Sequence, residues 1–403
     1  MTEPSSSPLD GVWGELVGQV SAVSVLRRAV AAASGNPDHA HAMSHAWLIT
    51  GPPGSGRSNA AKAFAAALQC PRDGCGECNE CRTSLSGAHP DVTLVRTEQL
   101  SIGVDEVREL VRRAAMRPTL RRRQVLVVED ADRVTERGAD ALLKSIEEPV
   151  TKTVWVLCAP NADDVVATIR SRCRLLNLAT PSVRAVTELL QSRDGIDPAL
   201  AAHAARAAQG HIGRARMLAR DESVRKRRHE VLRIPTQLRG LGACLTAAEK
   251  LVAACSEEAT GSTKALDARE LATLGEALGM GTQGSGPGRS AARPRQAQAA
   301  LKDLDDQQKA RTKRLQRDAL DRALTELTAY YRDVLAVQLG TGAELVNPEL
   351  TEELTAEARR SSPEATLRRI DAILECRTAV ETNVAPLLAV EAMLIGLVQA
   401  RTA

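Results

Sequence analysis

Gly51-Pro52-Pro53-Gly54-Ser55-Gly56-Arg57-Ser58 has the residue types and spacing to hold a phosphate. Gly51, Gly54 and Gly56 let backbone N–H groups close around an anion, Ser55 sits within the cradle, and the Ser58 hydroxyl suits a Mg²⁺ ligand. The pattern G-x-x-x-x-G-K-[ST] is met at every fixed position but one, where Arg57 replaces lysine. Arginine keeps the charge, but a planar fork is no substitute for a compact ammonium on a thin stem. The second chemical set is Cys70-x₄-Cys75-x₂-Cys78-x₂-Cys81, with Gly74 and Gly76 placed for tight turns. Four thiolates at this spacing wrap one tetrahedral Zn²⁺ and leave no position for water, which makes the metal structural. Buried unliganded cysteines fit poorly, because Pro71 to Gly76 is polar. Redox use of one C-x-x-C leaves two thiols without a role. Cys158, Cys173, Cys244, Cys255 and Cys376 are scattered and suit core positions.

The elements that must position these residues are legible around them. His45 to Thr50 predicts a strand entering the glycine loop, and Asn59 to Gln69 an Ala-rich helix leaving it, the context a phosphate loop requires. Asp91 to Val95 reads as a strand. Val104 to Ala115 has apolar residues at helical spacing. Val125 to Val128 and Val154 to Leu157 are short apolar runs typical of buried parallel strands, and Ala139 to Glu148 is helical up to Pro149. Strands alternating with helices predict an α/β domain with a parallel sheet, ending near residue 180. From Ser182 the strand signals stop. Residues 182–222 read as a small helical unit and 223–403 as a larger one. Ala323 to Gly340 and Glu364 to Val398 are strongly helical, the latter opening on an apolar stripe of Leu367, Ile370, Ile373 and Leu374. Gly279 to Gln298 is rich in Gly, Ser, Pro and Arg and predicts a flexible linker. Lys302 to Arg317 is so charged that a solvated helix and disorder both remain open.

Composition narrows the classes. A chain of 403 residues accommodates two or three domains, and a net charge of +3 is no signature of nucleic acid binding. Aromatic content is 1%, so cores must be built from Ala, Leu and Val, and a base-stacking platform is not expected. No apolar run approaches the roughly 18 residues of a membrane span, and Met1 to Asp10 lacks an apolar signal core. A cytoplasmic protein with reduced thiols is expected. The seven histidines include no H-E-x-x-H, and no Ser-His-Asp or Cys-His arrangement is suggested.

The order of the pieces carries more than any one of them. A four-cysteine module ends near His89-Pro90-Asp91. Val104-Asp105-x-Val107-Arg108 follows, then the strand ending in Glu129-Asp130, then Ala141-Leu142-Leu143-Lys144-Ser145-Ile146-Glu147-Glu148-Pro149, then Ser171-Arg172-Cys173. This succession resembles the bacterial clamp-loader AAA+ subunits of DNA polymerase III, strongly over residues 12–220 and only in helical character beyond. The resemblance implies a P-loop AAA+ parallel-sheet domain over 1–180 with a zinc module at 70–81, and a helical lid over 181–222. It also implies an all-helical collar domain over 223–403, with a flexible insertion at about 256–318. It implies that nucleotide sits between subunits, with Arg172 as an arginine finger offered in trans to a neighbour's ATP. Gly18-Gln19 resembles the adenine-side segment.

Four nucleotide-handling positions depart from a hydrolysing member of that family. Arg57 replaces the lysine, and the acidic pair reads Glu129-Asp130 instead of Asp-Glu. Cys158-Ala159-Pro160-Asn161 offers no sensor hydroxyl, although Asn161 is a partial substitute. Arg214, in Gly210-His211-Ile212-Gly213-Arg214, sits one place late for a second sensor. A misplacement of about 1 Å at a positioning group costs about 10²-fold in rate. The retained finger with a degraded motor resembles the delta-prime type, and the alternative is an active tau/gamma-type ATPase. The expectation is weak or structural ATP/Mg²⁺ binding with little turnover and no polymerase site. The function implied is help in loading a sliding clamp on primer-template DNA beside tau/gamma-type and delta-type subunits. Arg108, Arg112, Arg113, Arg117 and Arg121-Arg122-Arg123 form a basic zone able to track a DNA backbone or to be a solvated face. Arg225-Lys226-Arg227-Arg228 reads as a domain junction.

Overall fold

The computed structural model describes residues 11–97, 101–119, 122–278 and 294–400. Arg121 and residues 279–293 of the expected linker lie outside them. The chain divides into two units, one through Arg220 and one from Asp221.

The first unit is built on five parallel strands: β1 (Ala46–Thr50), β2 (Val92–Val95), β3 (Gln124–Val128), β4 (Thr153–Ala159) and β5 (Arg174–Asn177). Their order is β2-β3-β4-β1-β5, and every pairing is parallel. All residues of β1, β3 and β4 are buried, as expected of strands covered on both faces. The helices are α1 (Val20–Ala33), α2 (Arg57–Gln69), α3 (Asn79–Ser86), α4 (Val104–Ala114), α5 (Glu136–Glu147) and the single turn α6 (Ala167–Arg170). On one face Trp47 of β1 meets Phe64 of α2 edge-on, with ring centroids 5.2 Å apart. On the other, Trp155 packs with Leu126, Leu142 and Ile146. β5 has no apolar run, because an edge strand with three exposed positions needs none. Its Arg174 stacks over Trp47 at 5.0 Å. The segment expected as a lid carries α7 (Val183–Ser192), α8 (Pro198–Ala207) and α9 (Ile212–Arg220), with Ser182 and Asp197 capping α7 and α8.

The second unit is all-helical: α10 (Glu222–Gln237), α11 (Leu241–Ala277), α12 (Pro294–Leu339), α13 (Thr351–Arg360), α14 (Pro363–Glu381) and α15 (Pro386–Gln399). The α/β-plus-all-α class expected from the sequence is the one present. The stretch expected as a flexible insertion is corrected in its described part: 256–277 and 294–318 are helical, belonging to α11 and α12. Part of this charge is paired between the two helices. Arg311 forks onto both carboxylate oxygens of Glu270 and meets Asp267 at 3.2 Å, while Arg322 meets Glu258 at 2.6 Å. The stripe at the start of α14 also divides. Ile373 is buried, whereas Leu367 and Leu374 are 48% and 43% exposed. Helical character breaks at Asn383, whose φ is +68°, before Pro386 opens α15.

The basic run 225–228 is paired in its last three residues and buried only at Arg228. Lys226 pairs with Glu222 at 2.8 Å and Arg227 with Glu258 at 3.3 Å. Arg228 is buried among Glu326, Asn347 and Glu349. Asn347 in turn donates to Asp333, which is fully buried. Removing the cation takes a buried, hydrogen-bonded counter-charge away from the buried Glu326 and a donor away from Asn347. Arg228→Met is therefore expected to destabilise the second unit by about 3–5 kcal/mol, read as the shift in its urea or thermal unfolding transition.

Candidate nucleotide site and metal centre

The glycine loop joins β1 to α2 at the carboxyl edge of the sheet, where open α/β sheets bind ligands. Gly54 and Gly56 adopt φ of +83° and +96°, which only glycine enters freely. Gly56 ends the loop as N-cap, and Ser58 is half-buried in the first turn of α2. The loop is closed on itself. Arg57 Nη1 donates to Gly51 O across the cradle, and burial holds the Arg57 pKa below the usual arginine value. Ser55 is 2% exposed, and its Oγ has no hydrogen-bond partner.

The other expected residues gather at the same edge. Glu129-Asp130 follows β3, and Cys158 lies in β4 with its Sγ 3.8 Å from Arg57 O. Burial pushes the Cys158 thiol up to about 12. Asn161 is engaged by Asp164, which accepts from its backbone N–H at 3.1 Å and its side-chain amide at 3.2 Å. Gln19 is buried, donates to Ser55 O at 3.2 Å and Ala179 O at 2.7 Å, and accepts from Ala179 N–H at 3.2 Å. Its amide therefore straps the loop to the segment entering the lid. Gly18 stands beside it at φ +74°. Arg214 is 8% exposed at the start of α9, and its N–H donates to His211 Nδ1 at 3.2 Å.

Two residues at this edge carry roles that sequence reasoning missed. Lys62 Nζ lies 2.8 Å from Glu129 Oε1, whose side chain is only 8% exposed. A divalent cation at that carboxylate would face the ammonium, and charges of +2 and +1 about 4 Å apart repel by roughly 8 kcal/mol at an effective dielectric near 20. The donor set therefore fits Mg²⁺ poorly. The signal lay in the spacing, since Lys62 is four residues after Ser58 on the same helix face. His211 packs directly on Gly54, where an added Cβ would lie 2.2–2.5 Å from it. Glu15 adds ion pairs to Arg193 and Arg216 at 3.4 and 3.2 Å, linking the segment Gly11–Glu15 to the end of α7 and to α9.

Arg172 stands apart from these groups. It is 41% exposed, donates through Nη1 to Thr168 O at 2.9 Å and Ser171 Oγ at 3.1 Å, and pairs through Nη2 with Glu147 at 2.6 Å. The basic zone is partly neutralised. Arg108 pairs with Asp105, and Arg112 and Arg113 share Glu109. Arg122 donates to Cys70 O at 2.9 Å and Arg123 to Ala33 O at 3.4 Å, so both point into the fold. All three Trp, both Tyr and the single Phe are buried, leaving no ring to stack on a base.

The four cysteines form a metal-shaped cluster. The Sγ atoms of Cys70, Cys75, Cys78 and Cys81 lie within 4.8 Å of one another, and all are free thiols. Cys70–Cys75 and Cys70–Cys78 sulfur separations are 3.6 and 3.7 Å. A tetrahedron with Zn–S of about 2.3 Å requires about 3.8 Å. Gly74 and Gly76, at φ +106° and +83°, turn the chain between ligands. Backbone N–H groups of Arg72 and Cys75 reach Cys70 Sγ, and Arg72 Nη2 lies 3.2 Å from Cys75 Sγ. The backbone N–H of Glu77 leads in drawing the Cys75 thiol down to about 6, while burial pushes Cys78 and Cys81 up. A divalent cation held by the four sulfurs would supply the charge that lets Cys78 and Cys81 ionise too. This cluster can hold zinc.

Residues 34–182 match the family model described as DNA polymerase III, delta subunit. The delta' subunit of DNA polymerase III from Haemophilus influenzae is 34% identical over 157 residues, covering 38% of this chain and 48% of that protein. The delta' subunit from Pseudomonas aeruginosa is 33% identical over 204 residues, covering 49% and 61%. The gamma/tau subunit from Mycobacterium tuberculosis is 35% identical over 135 residues, covering 32% and 23%. The matched stretch thus spans 48–61% of the length of these two delta' relatives. Over that stretch the chain is delta-prime-like.

Proposed function

We propose that this delta-prime-like chain is a clamp-loader subunit that donates Arg172 to a neighbouring subunit's ATP and turns over little ATP itself. It works beside tau/gamma-type and delta-type subunits in placing a sliding clamp on primer-template DNA. The observation that carries this reading is the contrast between its two arginines. Arg57 is folded back onto Gly51 O inside its own loop, while Arg172 is on the surface. The Lys62–Glu129 pair and the Gly54–His211 contact point the same way.

The test is a complex reconstituted with and without Arg172→Ala. Hydrolysis in the mixed complex should depend on Arg172, and the isolated chain should be inactive before and after. A turnover rate in the isolated chain equal to that of a working clamp-loader ATPase would sink the reading in favour of the tau/gamma type. Arg57→Lys alone is expected to leave the isolated chain's ATPase within about twofold of background. It restores the ammonium but leaves the carboxylate order, the Lys62 pair and the missing sensor hydroxyl in place.

A further inference from the structure

We infer that Glu147 is a positioning residue for Arg172, holding one side of its guanidinium so that the rest is presented outward. The inference rests on the finger reading above. Arginine has five N–H donors in a rigid fork. Thr168 O and Ser171 Oγ take Nη1, and Glu147 Oε1 sits 2.6 Å from Nη2. Nε has no partner among the described residues, and the side chain remains 41% exposed. A sequestered arginine would be buried and saturated. This one uses three of its five donors, two on Nη1 and one on Nη2, and leaves Nε and the second Nη2 hydrogen for a second anion.

The placement of Glu147 supports the same role. It is the last residue of α5, where a carboxylate faces the negative end of the helix dipole. Local helix preference therefore does not explain it, and its ion-pair partner is Arg172, reached across 25 positions of sequence. The finger is thus braced by two elements. Thr168 and Ser171 hold it from α6 and the turn after it, and Glu147 holds it from the end of α5. Bracing lowers the rotamer freedom that an exposed arginine must otherwise lose when it meets a phosphate.

The experiment is steady-state ATP hydrolysis by the reconstituted complex carrying Glu147→Ala, Glu147→Gln, Arg172→Ala or the Glu147/Arg172 double change. Assembly and melting temperature are recorded for each. Glu147→Ala should lower kcat about 3- to 10-fold with KM for ATP unchanged, because only the transition-state contact is loosened. Glu147→Gln, the same shape without the charge, should fall between. In the Arg172→Ala background, Glu147→Ala should change nothing further.

A rise in kcat on removing Glu147 would overturn the inference and make the pair a restraint. So would an unchanged kcat, or an equal loss in the Arg172→Ala background. If Glu147→Ala does not assemble, Glu147→Gln carries the test, and wild-type kinetics for it would likewise overturn the inference. Failure of the finger reading is read separately, as an Arg172→Ala complex that hydrolyses ATP normally.

Discussion

Replacing Arg172 with alanine is expected to lower hydrolysis by the assembled complex about 10³-fold at each ATP site it completes. The magnitude follows from where the charge develops. Phosphoryl transfer spreads negative charge over the equatorial oxygens, and a guanidinium delivered from a neighbouring subunit meets that charge in a site closed to water. Ground-state ATP is bound mainly by the neighbour's own loop, so KM should move little while kcat falls. Arg172→Lys keeps the charge but loses the fork, and should recover only part of the loss. The measurement is phosphate release at saturating ATP, with assembly checked by size. Arg172 forms one surface ion pair at 2.6 Å with both partners about two-fifths exposed, so its removal costs the fold little. A complex that assembles normally and still hydrolyses ATP would exclude the finger role.

What the sequence revealed, and what it hid, divides along the range of the interactions. The loop 51–58, the buried runs of β3 and β4 and the cysteine spacing are local, and each was legible because its chemistry is written in consecutive residues. β5 was not read, since an edge strand with one buried position has no apolar signature. The contacts that decide the state of the site are tertiary: Lys62 with Glu129, His211 against Gly54, Gln19 between Ser55 and Ala179. Each partner alone looks ordinary in sequence. The charged stretch 302–317 left a solvated helix and disorder both open for a related reason. Charges that solvate one isolated helix also join two, and the pairing of Arg311 with Glu270 is visible only when both helices are placed. The four departures at the nucleotide site were read as lost contacts. The structure adds two contacts there, Arg57 with Gly51 O and Lys62 with Glu129.

Loss of a metal from the four-cysteine cluster is expected to destabilise the first unit. Residues 70–78 contain almost no apolar side chain and carry positive φ at Asp73, Gly74 and Gly76, so a shared metal would be the chief constraint on that segment's shape. The damage would not stay local. Val12 N–H donates to Gly74 O at 3.1 Å, and the Gly74 position is crowded by Val12 and Trp13. The segment Gly11–Glu15 is therefore seated on the cysteine turn, and its Glu15 pairs with two lid arginines. Structural zinc is worth about 10–16 kcal/mol in isolated fingers. A unit with its own sheet core keeps most of its stability, so Cys70→Ser or Cys81→Ser should cost about 3–5 kcal/mol, on the scale of breaking a buried ionic centre. For a unit of this size that lowers its melting temperature by roughly 10 °C. Metal analysis should find one zinc per chain, and a chelator should reproduce the shift in wild type but not in the variants. Acid should release the metal, because each thiolate must first take up a proton. A metal-free preparation that melts like the zinc-loaded one would show that the α2–α3 packing, with Cys70 and Cys81 as ordinary core thiols, holds the segment without an ion.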